Sequence, residues 1–427
     1  MNSPSASPKG RALARRTLLG AVAASGAGVL CGEPAFADAL SRPVARSEVA
    51  TEVARLEREL VALRRDIHRH PEAPGQERRT AGLVAQRLRH AGLSVTTGVG
   101  GNGVVGILRG RLPGRTVAYR ADMDAVPPEG IIGGGTVTAH VCGHDIHTTV
   151  AVGVAQVLAR MRQRLSGTVV FLFQPAEESL AGARRMLDSG VLERTGIQEI
   201  HALHCGPFPV GRFAVTPGFG LPGLDHGEVD LHGPDAPEAA RQLAAGIGAL
   251  ATVTQPKTAA ELARLVADLQ RPDSPLARFV FVRAGVRESA VKVSVRCWPP
   301  ERYRAVREEI RQVAGRYSGA EVAFPAEPFP AMVCPAADAR ALARHLRRTL
   351  GRDAVTVMRA AIPFSGEDFA LYLERVPGTY TFLGVRRPGA SVDTAYPHFP
   401  DFAPDERAIG LGVRAMAGWL TERTRRP

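Results

Sequence analysis

Between Ser47 and His90 the apolar residues Val49, Val53, Leu56, Leu60 and Leu63 recur at the three- and four-residue intervals that align side chains on one face of an α-helix. The pattern predicts a helix ending near His68, a break at Pro71-Glu72-Ala73-Pro74-Gly75, and a second helix from Glu77. Strands come next. Val104-Val105-Gly106-Ile107-Leu108 and Thr116-Val117-Ala118-Tyr119 flank a Gly/Pro turn, and the second runs into Arg120-Ala121-Asp122-Met123-Asp124. Thr148 to Met161 is apolar enough for a buried helix, and Thr168 to Phe173 for a buried strand that leads into Gln174-Pro175-Ala176-Glu177-Glu178. A short strand from Glu199 brings His204 and Cys205 to its end. The alternation predicts an α/β fold, a mixed, largely parallel sheet flanked by helices.

The texture changes at about Leu224. A strand from Gly227 to Leu231 precedes helices from Glu238 to Leu250 and from Ala259 to Leu269. Strands Phe279 to Val282 and Ala290 to Cys297 then precede a helix from Pro300 to Tyr317. These elements predict a smaller inserted α+β lid at residues 225–329, within a discontinuous main domain of residues 47–224 and 330–427.

Residues 1–37 stand apart. Arg15-Arg16-Thr17-Leu18-Leu19 opens an apolar run to Leu30, and Ala35-Phe36-Ala37 offers small residues for cleavage before Asp38, the layout of a twin-arginine signal peptide. The expectation is export to the periplasm or the medium. A lipoprotein anchor at Cys31 is the weaker alternative, because bulky Leu30 stands where such signals prefer a small residue. No later segment reaches about 18 consecutive apolar residues, so no integral membrane segment is expected after the leader is removed.

Composition narrows the partners. The 427 residues leave room for two domains, and the net charge of +12 comes almost wholly from arginine, since Lys9, Lys257 and Lys292 are the only lysines. A nucleic-acid binder would cluster its cations with aromatics, which are only 5% here; the scattered charge implies solubility and mild attraction for anionic substrates instead. Cys142, Cys205, Cys297 and Cys334 are too widely spaced for a disulfide scaffold.

The densest chemistry is His140-Val141-Cys142-Gly143-His144-Asp145-Ile146-His147. Read as an extended segment, it points Cys142 and His144 to the same side, where they can share a cation. Soft sulfur with imidazole suits zinc best and leaves manganese, cobalt and nickel open. The plainer reading is a buried cysteine beside surface histidines. Glu177 and Glu178, straight after a buried strand, are costly unless used. As extended neighbours they would face opposite ways, one to a metal and one to a bound water, or else cap the helix after Ser179. His398 lies among prolines in a loop, and His68 is expected to be structural.

In chain order RADMDAVP, HVCGHDIH, FQPAEE, ALHCGPFPVG, SGEDF and HFPDFAPDE resemble the amidohydrolases of the aminoacylase, hippurate hydrolase and indole-acetyl-amino-acid hydrolase family. These metallopeptidase-like enzymes cut the amide joining an acyl group to an amino acid. The resemblance runs from about Leu63 to Glu406 and begins with RRDIHRHPE. It implies two divalent metal ions held by Cys142, His144, Glu178, His204 and His398, with Cys142 placed to bridge them. It also implies Glu177 as general base and Asp122 steadying the site from behind the ligands. The implied substrate is a small acyl-amino acid or related amide conjugate.

Two departures from the family matter. Only Ala125 to Ala139 separates Asp124 from His140, a shorter loop than usual, which implies a more open pocket. After Leu231 the lid reads HGPDAPEAARQL, without the family's GGHxxxP loop, whose histidine steadies the oxyanion, often across a dimer; the family's Asn-x-x-Pro segment is absent too, Arg287 to Val295 reading RESAVKVSV. Losing one oxyanion donor costs about 2.7 to 4 kcal/mol. His226 and His232 are candidates to replace it, and the expectation of a lid-to-lid dimer is weakened. Two rivals remain: a non-catalytic descendant that keeps the metals and uses the cleft as a binding module, and a thiol hydrolase with Cys142 as nucleophile and His144 as base.

Overall fold

The structure, a computed structural model, describes residues 46–425, so the expected leader and its Cys31 lie outside the described residues. Among the described residues no helix is long and apolar enough to cross a membrane. The helix Arg46–His68 buries Val49, Val53, Leu56, Leu60 and Leu63, the stripe that the spacing predicts, and Arg78–His90 follows the proline break with Val84 and Leu88 turned inward.

The strands are β1 (Ser94–Val99), β2 (Gly103–Arg109), β3 (Leu112–Asp122), β4 (Ser166–Gln174), β5 (Glu199–Pro209), β6 (Phe213–Val215) and β7 (Gly220–Leu221). After them come β8 (Asp225–Asp230), β9 (Phe279–Arg287), β10 (Ala290–Trp298), β11 (Glu321–Ala323), β12 (Met332–Val333), β13 (Val355–Val357) and β14 (Gly378–Arg386). The main sheet has the order β1-β2-β4-β3-β5-β14-β6-β13. Its middle strands β4, β3, β5 and β14 run parallel, while β1, β2 and β6 pair antiparallel with their inner neighbours. Parallel strands need cover on both faces, and they have it. Val169, Phe171 and Phe173 pack with the helices Arg46–His68, His144–Arg160 and Arg407–Arg423, whereas Val170 and Leu172 point into the layer of Met186, Leu187 and Leu371.

A second sheet, ordered β11-β8-β10-β9 and antiparallel throughout, forms a separate small domain. The helices Ala236–Gly248 and Arg302–Ala314 cover one of its faces through Leu243, Ile247, Val306 and Ile310. The helix Ala259–Asp268 behaves differently. It comes from the inserted stretch of sequence, yet Leu262 and Leu265 pack with the residues of the main core.

Several boundaries differ from the sequence pattern. The helix expected from Thr148 begins at His144, because Gly143 caps it in a left-handed turn. The strand that ends in Cys205 by pattern continues to Pro209, since β14 pairs with β5 along its whole length. Cys142, Cys205, Cys297 and Cys334 are buried and free, which agrees with the absence of a disulfide scaffold in the spacing.

The last helix is fastened to the sheet by Glu199. Its buried carboxylate accepts Arg423 Nε at 2.6 Å, Arg423 Nη2 at 2.8 Å and Arg115 Nη1 at 2.9 Å. Burial works to raise the pKa of Glu199, but His201 and Arg423 outweigh it and hold the group down to about 2. The folded value lies below the unfolded value of about 4.3, so the linked stability is complete above that pH and is lost as pH falls towards the folded value. Glu199→Gln should therefore lower the unfolding free energy by about 1.5 to 3 kcal/mol at neutral pH. In denaturant melts the gap to the wild type should narrow as pH drops below about 4; a gap that is constant with pH contradicts this role.

Candidate metal centre and active site

The site gathers at the carboxyl ends of the parallel strands, where an open α/β sheet offers loops and helix N-termini together. β3 ends at Asp122, β4 leads through Pro175 to Glu177 and Glu178, and β5 carries His204. Cys142 and His144 arrive from the turn that opens the helix His144–Arg160. Gly143 has φ 97°, and a Cβ there would lie 2.6 Å from Cys205 Sγ, so only glycine fits. This left-handed turn, not extended alternation, brings Cys142 and His144 to one place.

The alternation expected of Glu177 and Glu178 is corrected in the same way. Both lie in a turn after Ala176, whose φ is 56°. Glu177 Oε2 stands 3.9 Å and Glu178 Oε1 3.6 Å from the same atom, His144 Nε2. Neither glutamate caps the next helix, Gly182–Asp188, whose N-cap is Ala181 without a side-chain bond.

Three histidines are held in the same tautomer. A carbonyl oxygen can only accept, so each ring nitrogen facing one must carry the proton. His144 Nδ1 donates to Asp124 O at 2.8 Å, His204 Nδ1 to Cys205 O at 2.8 Å, and His398 Nδ1 to Gly130 O at 2.8 Å. Each Nε2 is left with a free lone pair. His204 Nε2 lies 3.4 Å from Cys142 Sγ, and His398 Nε2 lies 3.4 Å from Glu178 Oε1. His144 Nε2 and Glu178 Oε1 are buried without any hydrogen-bond partner. Orphaned acceptors aimed into one space are what a divalent cation satisfies.

The ligand atoms fall into overlapping sets, each within 4.8 Å: Cys142 with His144 and His204, Cys142 with Glu178 and His398, and His144 with Glu177 and Glu178. All five residues expected as ligands are thus brought together with Glu177, and Cys142 belongs to two sets. Asp122 stands behind them. Its Oδ1 accepts His147 Nδ1 at 2.6 Å, and His147 Nε2 in turn accepts Cys205 N at 2.7 Å, so both nitrogens of His147 are spent on holding the frame.

The cage around Arg120 has no signature in the local sequence. This buried guanidinium donates to Gln174 Oε1 at 2.9 Å, Asp122 Oδ2 at 2.5 Å, Glu367 Oε1 at 2.9 Å and Asp368 Oδ1 at 3.0 Å. Ser365-Gly366-Glu367-Asp368-Phe369 stood out as a motif, but its partner lies some 250 positions away. His68 does take a structural place, with Nδ1 2.8 Å from Asp145 Oδ2.

Charge follows this geometry. Burial pushes the Glu177 pKa well above the carboxylate range, helped by Glu367, Glu178 and Asp368. Burial also pushes Glu178 upward, but His398 and His144 draw it down to about 2. Burial would lower His144, yet Asp122, Asp124 and Glu178 raise it to about 10. The field that favours a proton on His144 favours a dication still more, and metal binding releases that proton.

Beside these groups opens a cleft of about 900 Å³. Glu129 to Gly134, from the short loop, form part of its wall, and Ile132 N donates to His398 O at 2.8 Å. On the lid side His226, Arg283 and Arg296 line it. His232 instead sits exposed beside Glu321, outside the cleft lining.

Residues 118–422 match the sequence profile of Peptidase family M20/M25/M40. The chain belongs to the M20 family. It is thus a member of a family of metal-dependent amidohydrolases. N-acetylcysteine deacetylase of Bacillus subtilis is 31% identical over 387 residues, covering 84% of this chain and 95% of the relative. N-acetyldiaminopimelate deacetylase of Halalkalibacterium halodurans is 30% identical over 383 residues, covering 86% and 99%. Among solved structures, the Bacillus subtilis YXEP protein, described as a dinuclear metal binding peptidase of the M20 family, superposes with a TM-score of 0.65. It is 29% identical and covers 86% of this chain and 98% of its own.

Metal should stabilise this M20 chain. Stripping with a chelator is expected to lower the melting temperature, and returning zinc, manganese or cobalt to restore it. Free metal at about 100 times Kd adds about 2.7 kcal/mol. A melting temperature indifferent to complete metal removal contradicts the centre.

Proposed function

We propose that the protein is an exported amidohydrolase that uses two divalent cations, zinc foremost, to hydrolyse N-acyl amino acids or related small amide conjugates, with Glu177 as general base. The observation that carries this reading is the position of Glu177. Its carboxylate stands beside the orphaned His144 Nε2, facing the cleft, in surroundings that raise its proton affinity. The names of the two deacetylase relatives support the substrate class. The twin-arginine pattern at Arg15-Arg16 supports export.

When bound by Cys142, His144, Glu178, His204 and His398, the cations supply a water of pKa lowered towards about 7 and a Lewis acid for the amide oxygen. Glu177 takes the proton of the water as its oxygen adds to the amide carbon, and passes that proton to the departing amine. The carbon–nitrogen bond breaks, leaving a carboxylic acid and a free amino acid. Asp122 keeps His147 and Arg120 in position behind the ligands.

Arg296 supplies the group for the amino-acid carboxylate. Among the described residues its one hydrogen bond runs to Gly223 O at 3.2 Å and it pairs with no carboxylate, and burial presses its pKa down to about 10. A desolvated guanidinium without a counter-charge is costly unless an anion joins it. Gly366 makes room, since a Cβ there would collide with Arg296. The missing lid histidine loop favours the second reading, a metal-holding binding module, and one experiment separates the two. Glu177→Gln should bind about two metal ions per chain, as the wild type does, and lose at least about 10²-fold in acyl-amino-acid cleavage. Wild-type protein that holds its metals and cleaves nothing in an acyl-amino-acid panel contradicts the enzymatic reading.

A further inference from the structure

The face of the lid sheet that its own helices leave bare borders the cleft, with Phe281 packed there on Phe364. Its helices cover the other face, where Val229, Val282, Val291, Val293 and Val295 are buried. On the bare face, the register of β8, β10 and β9 puts His226, Ser294 and Arg283 in one row, and Arg296 beside Phe281 two residues further along. His226, Arg283 and Arg296 all line the cleft, with Gln255 next to them.

This wall carries more positive charge than one substrate carboxylate can answer. The neighbouring row neutralises itself, because Lys292 pairs with Glu228. Among the described residues Arg283 has no such partner. Its contacts are the side-chain oxygen of Gln255 and the ring of Phe281, 5.2 Å from the guanidinium carbon, and both are neutral. Among the described residues neither Arg283 nor Arg296 is paired with a carboxylate. Two guanidiniums on one sheet face repel each other, and Arg283 contributes to the depressed proton affinity of Arg296. The carboxylates that line the cleft, Glu129, Glu177 and Glu178, all come from the main domain.

We infer that the cleft selects amides carrying two carboxylates, one for Arg296 and a second for Arg283. The inference rests on the amidohydrolase reading above. The second carboxylate belongs either to the amino-acid side chain or to the far end of the acyl group, and a matched substrate set tells these apart. Arg283 meets either source with the same planar pair of donors.

The test compares kcat/KM on the metal-loaded full protein for N-acetylglutamate against N-acetylglutamine, and for N-succinylleucine against N-butanoylleucine. At least one doubly anionic amide should exceed its neutral counterpart by roughly fivefold or more, as expected for an anion meeting an exposed guanidinium. The pair that shows the ratio locates the second carboxylate. Arg283→Gln should collapse that ratio towards one, and Arg283→Glu should invert it. Ratios near one in both pairs, or ratios that survive Arg283→Gln, overturn the inference and leave the amidohydrolase reading standing. No cleavage of any of the four by protein that holds its metals overturns both.

Discussion

The structure depends on buried negative charge that the protein alone does not neutralise. Asp122, Glu177, Glu367 and Asp368 are shut away from water around the guanidinium of Arg120, which balances one charge, and the carboxylates of Asp124 and Glu178 are buried beside His144. Carboxylates in such a place must take protons or find cations. Burial carries Asp368 to about 7 against the pull of Arg120, and it raises the proton affinity of Glu177 as well. Glu178 faces His144 and His398, two of three imidazoles whose backbone bonds leave their lone pairs inward. Dications answer both needs, the charge and the unfilled lone pairs.

The fold can bear this cost because the sheet and the helix behind it fix the residues that build the site. Parallel β3, β4 and β5 bring Asp122, Glu177, Glu178 and His204 to one edge, and the helix behind them is almost wholly buried. Asp122, His147 and the amide of Cys205 form a chain of bonds that fixes helix to strand. His398 comes from far along the sequence with a φ of 69°, held there by bonds to Val141, Ile132 and Gly130. Backbone strain of this kind is tolerated only where the surroundings over-determine it. The lid contributes Arg283 and Arg296 to the same cleft that Glu177 and Glu178 line from the main domain.

Much of this was legible in the sequence, for local reasons. The Val49 to Leu63 stripe, the strand running into Asp122 and the ligand-rich segments declare themselves by spacing and composition. The closeness of Cys142 to His144 was foreseen from extended geometry, whereas the cause is the left-handed turn at Gly143. Glu177 and Glu178 were likewise to be split by alternation, and a turn instead aims both at His144. What the sequence hid is long-range. Nothing near Arg120 announces Glu367 and Asp368, and nothing near Arg296 reveals that Gly366 leaves it room. The open face of the lid sheet exists only once β8, β9 and β10 are in register.

Convergence on Cys142 is tested most directly by the absorption spectrum of the cobalt-loaded protein. A cobalt(II) ion bound by the Cys142 thiolate should give an intense sulfur-to-metal charge-transfer band in the near ultraviolet, absent from Cys142→Ser protein that still binds cobalt. A loaded wild type without that band, or a band that persists in Cys142→Ser, would contradict a cation centre built around this thiol.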